Sequence, residues 1–259
     1  MNSILAQSSP LLTALVVIPT AAVVVAMFLV LWRERTSART ARVAVVSGIV
    51  LAGWALMTAW FAARGFYLPR DTSGPPPVGI QLVIALAALA LVLAISPSLR
   101  SLLTNEKNLL RLNVWRLEGA VFVGLMFAGQ MPALWALPAG IGDVIVGLAA
   151  FPVASSLDRP GGVRRAIIFN LFGLADLVVA VGLGIMSNPG PIQVFHPTPA
   201  ADLVTHFPLA LVPAFLVPLA FMLHIVLLWQ LFGLPWAGKG ATRWAAAGSY
   251  DGVRRRHHA

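Results

Sequence analysis

Apolar residues in this chain come in long unbroken runs. They form neither the i, i+3, i+4 stripe of a water-facing helix nor the alternation of a half-buried strand. Seven runs, at about 11–32, 43–63, 78–96, 114–131, 137–156, 166–186 and 208–232, are almost free of charge. A helix needs about 20 residues to cross a hydrocarbon core of roughly 30 Å, and it satisfies every backbone group within its own segment. The runs therefore predict an all-α integral membrane protein. Seven transmembrane helices make one domain over residues 1–232, and a basic tail follows over 233–259. A transmembrane β-barrel would alternate apolar and polar positions, which these runs do not.

Composition sharpens this. Of 259 residues, 59% are apolar and 10% charged, with no cysteine. A soluble domain carries about 25% charged residues, so a soluble enzyme with a polar surface is excluded. Disulfides, iron–sulfur clusters and cysteine-held zinc are excluded as well. Residues 1–10 lack Lys and Arg and lead into a run too long for a signal-peptide core, so the first run is read as a span.

The net charge of +9 is distributed by topology. Arg33, Arg35, Arg39 and Arg42 lie between runs 1 and 2, and Arg100, Lys107, Arg111 and Arg116 between runs 3 and 4. Arg159, Arg164 and Arg165 lie between runs 5 and 6, and Lys239, Arg243, Arg254, Arg255 and Arg256 in the tail. The other side holds Arg64 and Arg70. This bias predicts an outside N-terminus and a cytoplasmic C-terminus, and it explains the charge without nucleic acid. Trp32, Trp60, Trp115, Trp135, Trp229 and Trp236 fall at predicted span ends, as an interfacial belt requires. Arg-over-Lys and Ala-rich usage suits a GC-rich bacterium, hence a plasma membrane.

The 96–113 connection mixes Leu with basic residues and predicts a short amphipathic helix on the cytoplasmic surface. Thr198 followed by Pro199 reads as the N-cap and first turn of the last helix. The tail is expected to be disordered. Its terminal RRRHH either meets anionic lipid headgroups or simply extends the positive-inside bias.

Runs 1 to 3 have no ionisable residue in their interiors, whereas runs 4 to 7 hold Glu118, Asp143, Asp176 and His224 with the amides Gln130 and Asn170. Ionisable groups in a membrane cost a few kcal/mol each, and they read as functional by default. Gly140-x-x-Asp143-x-x-x-Gly147 and Gly173-x-x-Asp176-x-x-x-Ala180 set each acid in a stripe of small residues, aimed at a neighbouring helix. The likeness of GIGDVIVGLA to GLADLVVAVG is what an inverted repeat leaves, and chance between Gly/Val-rich helices produces the same.

At 1.5 Å per residue, Asp143 is expected about 9 Å below the outer surface, Asp176 about 15 Å from either face and His224 about 12 Å above the inner one. The polar groups then form a ladder running Arg116 and Glu118, Asn170, His224, Asp176, Asp143, Gln130, His206. Arg116 and Glu118 are expected to pair at the cytoplasmic edge, leaving no interior cation to neutralise the two aspartates.

The reading that follows is a small proton- or cation-coupled transporter, moving an unnamed small molecule or ion. Its coupling site is Asp143, Asp176 and His224, with Asn170, Gln130 and Glu118 around it. Hydrogen-bonded packing pins between helices are the structural alternative for each residue. A membrane-embedded redox protein or enzyme is the second functional reading, with haem on His224 or a divalent metal at the outer surface on His196, Asp202 and His206. A non-catalytic accessory subunit is the third. No catalytic set is assigned, and no cofactor is required by the first reading. Both lysines, Lys107 and Lys239, lie outside the runs, so a retinal Schiff base is excluded.

Overall fold

A computed structural model describes residues 9–68 and 74–232. Among these residues the secondary structure is entirely helical. Helix α1 spans Pro10–Arg33 and α2 spans Ala38–Ala63. A reciprocal capping box opens α2: Ser37 accepts from the Thr40 backbone, and the Thr40 hydroxyl accepts from the Ser37 backbone. Helix α3 runs Pro77–Ile95, with proline in its first turn.

Two short helices follow, α4 (Pro97–Leu102) and α5 (Glu106–Leu112), in place of the single surface helix expected there. Ser96 caps α4 and Asn105 caps α5, so a break is written between them. Their leucines, among them Leu102, Leu109 and Leu110, are buried against the bundle. Arg100 donates through Nη1 to the Leu93 and Ala94 carbonyls at the end of α3 (2.6 and 2.8 Å). Asn105 donates to Glu34 beyond α1 (2.9 Å), and Lys107 pairs with Asp158 beyond the fifth long segment. These contacts tie together the three connections that the charge bias assigned to one side.

The fourth run departs from expectation. Residues 114–131 are not one α-helix: a 3-10 segment, Asn113–Gly119, is followed by α6, Ala120–Phe127. Helix α7 then spans Ala133–Ser156 and α8 spans Gly162–Ser187. The last run is also modified. Residues 202–205 make one 3-10 turn, Val212–Leu216 is a π-helical segment, and α9 spans Val217–Leu231. Thr198 and Pro199 lie in irregular chain ahead of all three, joined by a cis bond, so they do not open the helix.

Among the described residues, six helices are long and apolar enough to cross a membrane: Pro10–Arg33, Ala38–Ala63, Pro77–Ile95, Ala133–Ser156, Gly162–Ser187 and Val212–Leu231. Their apolar side chains point outward to a degree no water-soluble surface tolerates. Leu56 is 72% exposed, Ile95 70% and Ile49 67%. Burial is concentrated at the other end of the chain. Leu216, Leu219, Ala220 and Leu227 are fully buried where the π segment and α9 pack against α8, α3 and α5. Helix α7 packs on the 3-10 segment, α8, α6 and α5. Trp115 and Trp135 are both buried, so neither belongs to the expected interfacial belt. Trp236, the basic tail and Arg70 lie outside the described residues.

Proline chemistry accounts for a freed backbone group in the last helix. Pro218 has no N–H for the carbonyl four residues earlier, Ala214. That carbonyl instead accepts from Gln81 Nε2 of α3 (3.0 Å). The same Gln81 Nε2 reaches Thr58 of α2 (2.9 Å), and Gln81 Oε1 accepts from the Tyr67 hydroxyl. One glutamine therefore ties α2, α3 and the π segment together at the backbone group that proline freed. A π segment inside a helix commonly marks a functional region.

Candidate functional site

Arg116 is the centre of the site, and it lies in the interior of the helix bundle. Its side chain is fully buried and carried inward by the 3-10 segment. Asn113 steadies that segment by donating to the Leu109 and Leu110 carbonyls (3.2 and 3.3 Å). A guanidinium has five N–H donors in a planar fork. Here Nε donates to Asp143 Oδ1, and Nη2 to Asp176 Oδ2. Nη1 donates to the Gly173 carbonyl (3.3 Å) and faces His224 Nε2 (3.0 Å). Four donors thus join α7, α8 and α9 through one side chain.

The ring of His224 has both nitrogens engaged. Its Nδ1 lies 2.8 Å from Asn170 Oδ1, and Asn170 Nδ2 donates to the Ala166 carbonyl (2.7 Å). Asn170 Oδ1 is then the acceptor, which puts the His224 proton on Nδ1. Nε2 is left as an acceptor for Arg116, as a ring beside a guanidinium should be. His224 and Asn170 are both fully buried.

The close approach depends on missing side chains. A Cβ at Gly142 would overlap the Asp176 carboxylate, and one at Gly173 would overlap the His224 ring. A Cβ at Gly119 would lie 2.7 Å from the Gly140 carbonyl oxygen, and one at Gly147 would lie 2.7 Å from the Leu117 nitrogen. The small-residue stripes around Asp143 and Asp176 thus serve backbone contact, which is how membrane helices pack tightly.

Several expectations change. The ladder of separate polar rungs collapses: Arg116, Asp143, Asp176, His224 and Asn170 form a single cluster. The missing interior cation is Arg116 itself, which therefore leaves the tally of loop charges. Glu118 is not its partner. Glu118 is buried, and neither carboxyl oxygen has a hydrogen-bond partner among the described residues. Its neighbour in the chain, Gly119, packs directly against Asp143. Gln130 sits in the turn after α6, where its backbone N–H bonds to Leu125 O (2.9 Å) and its Oε1 has no partner among the described residues. It makes no bond to the cluster.

The outer metal set does not assemble. Among the described residues no three His, Cys, Asp or Glu side chains are grouped to hold a metal ion. His196 is exposed, and His206 Nδ1 faces the Asp202 backbone oxygen (3.1 Å) rather than its carboxylate. A single 3-10 turn over residues 202–205, followed by extended chain at His206, stands in place of the α-helical turn that would have put the Asp202 and His206 side chains together.

A cavity reaches the cluster from the end of the bundle that holds the α2–α3 connection and the chain between α8 and the π segment. It contains about 990 Å³ of space free of protein atoms, counting its open mouth. Its walls come from the start of α3, from α6, α7 and α8, and from the π segment. Asp143 lines it, with a side chain 13% exposed, whereas Arg116 does not. Asp143 is thus the one acid of the cluster shared with this space.

Six long apolar helices around a buried ion cluster define the class, an all-helical multi-pass membrane protein. The chain belongs to the family described as Domain of unknown function (DUF8737), whose match covers residues 75–232, more than half of the chain. The matched stretch includes Gln81 and every member of the cluster and leaves out α1 and α2. No curated protein and no solved structure matches the chain.

Proposed function

We propose that the protein is a proton- or cation-coupled transporter of a bacterial plasma membrane, with the Arg116–Asp143–Asp176–His224 cluster as its coupling site. The carrying observation is the charge count of that cluster. Two aspartates share one permanent cation, with a third carboxyl, Glu118, buried alongside. A structural ion pair in lipid needs one acid for one base, and surplus acids add desolvation without return. A surplus of carboxyls in a cluster that meets a cavity through Asp143 is what exchange of a proton or metal cation requires.

In this reading the chain crosses the bilayer seven times, N-terminus outside and C-terminus in the cytoplasm. The crossing absent from the six long helices is α5, the 3-10 segment and α6 taken together. Their 1.5 and 2.0 Å rises per residue give roughly 35 Å, enough for the hydrocarbon core. A crossing made of three short pieces is the discontinuous kind from which transporters build midplane sites.

The test is proton uptake into proteoliposomes driven by a potassium diffusion potential and followed with a trapped pH indicator. Protein-dependent uptake is expected, reduced at least tenfold in Asp176→Asn and unchanged in the surface variant Asp158→Asn. Uptake at the wild-type rate in folded Asp176→Asn would overturn the reading.

A further inference from the structure

From the donor and acceptor balance of the cavity we infer that it binds an amphiphilic organic ammonium ion, with its N–H groups on Asp143 and its apolar body between α3, α7 and α8. As a statement about cargo, this deepens the transport reading and rests on it.

Most of the polar groups lining the cavity have already given away their protons. Trp135 Nε1 donates to the Ala180 carbonyl (2.9 Å), and the Tyr67 hydroxyl donates to Gln81. The Thr205 hydroxyl donates to the Asp202 carbonyl (2.7 Å), and the Asn188 amide spends one N–H on the Gly184 carbonyl (2.8 Å). Among the described residues, one amide oxygen and one carboxylate oxygen remain without donors, at opposite ends of the space. Asn188, at the end of α8, is 9% exposed, and its Oδ1 has no hydrogen-bond partner there. Asp143, at the cluster, gives Oδ1 to Arg116, while its Oδ2 accepts no hydrogen bond among the described residues. Buried acceptors left unmade are costly, and a ligand that supplies the donors recovers that cost.

Charge makes the same choice. The guanidinium of Arg116 is sealed behind Asp143, so an anion in the cavity would meet a carboxylate and never reach the cation. The remaining wall is apolar, with Phe122 and Leu177 prominent. Small-molecule sites have this construction, mostly apolar with a few convergent polar groups that fix orientation. A bare metal cation would leave the apolar wall without purpose, and a neutral lipid tail would leave the carboxylate without a partner.

The experiment is equilibrium binding of 1-naphthylmethylamine to the full chain in nanodiscs at pH 7, beside its neutral alcohol and carboxylate counterparts. The amine is expected to bind saturably and at least tenfold more tightly than the alcohol, and the carboxylate not at all. Asp143→Asn is expected to erase the preference for amine over alcohol. The comparison of amine with alcohol on the unsubstituted chain needs no variant, and so keeps the test decisive if Asp143→Asn does not fold. Ala180→Phe, which fills the space, should abolish binding of both compounds. Equal binding of amine and alcohol, or an amine preference that survives in Asp143→Asn, overturns the inference. Loss of the amine preference with potential-driven proton uptake intact would refute the cargo and leave the coupling site standing. Amine binding without proton uptake would do the reverse.

Discussion

Replacing Arg116 with methionine tests the organisation of the cluster most directly. The substitution keeps a long unbranched chain and removes the cation to which Asp143, Asp176 and His224 are all bonded. Breaking a buried ion pair by removing one partner costs about 3–5 kcal/mol, because the other charge stays behind uncompensated. At about 2–4 °C per kcal/mol for a chain of this size, the melting temperature should fall by roughly 6–20 °C. Removing the charges together should behave differently. In Arg116→Met/Asp143→Asn/Asp176→Asn no ion is left in the interior, and replacing whole buried ion groups is often neutral or stabilising. The triple variant should therefore recover most of the loss despite carrying three substitutions in the core. Thermal unfolding in detergent, followed by tryptophan fluorescence and size exclusion, measures both. A triple variant as unstable as the single one would falsify the claim that charge balance, and not shape, makes Arg116 necessary.

Three further outcomes follow from the packing. Gly173→Ala should cost about 1–3 kcal/mol through overlap with the His224 ring, and less in a His224→Ala background, where additive costs would refute the contact. Gln81→Leu leaves the Ala214 carbonyl and Thr58 without their donor and should cost about 1–3 kcal/mol in the same assay. Tyr67 lies beyond the end of α2, and burial raises its phenol above the usual value of 10, outweighing the opposing hydrogen bonds to Thr58 and Gln81. The fold then favours the protonated phenol, so its contribution is intact below pH 10 and lost as pH rises through the shifted value. Of the two tyrosines in the chain, one should ionise late in an ultraviolet titration, and Tyr67→Phe should remove that step.

Much of the architecture was legible in the run lengths. The α1 run was expected at 11–32 and occupies Pro10–Arg33, and the α8 run was expected at 166–186 and occupies Gly162–Ser187. Both have end signals or uniform apolarity that leave helix as the only backbone solution in lipid. The fourth and seventh runs were harder because hydropathy does not register hydrogen-bond type. The 3-10 segment Asn113–Gly119 and the π segment Val212–Leu216 go with particular hydrogen bonds, of Asn113 to its own preceding turn and of Gln81 to the Ala214 carbonyl, which no apolar count contains.

The candidate acids were visible because ionisable residues in apolar runs are rare. Their partner was missed for a specific reason. Arg116 follows Arg100, Lys107 and Arg111 along the chain, and the positive-inside rule counted it with them. The available signal was its place two residues inside the predicted 114–131 span, where a loop cation has no business unless it pairs inward.

By itself the sequence determined that this chain is helical, apolar enough to cross a membrane several times, and equipped with acids in its C-terminal half. Those properties are one-dimensional: run length, charge position and residue type follow directly from the cost of placing polar groups in hydrocarbon. Only the tertiary structure decided that Arg116, Asp143, Asp176, Asn170 and His224 are one site, and that His196, Asp202 and His206 are not. Bringing together residues up to 108 positions apart requires helix crossings close enough for one guanidinium to bridge them. Those crossings are set by what glycine leaves out at Gly119, Gly142 and Gly173, which no hydropathy profile records.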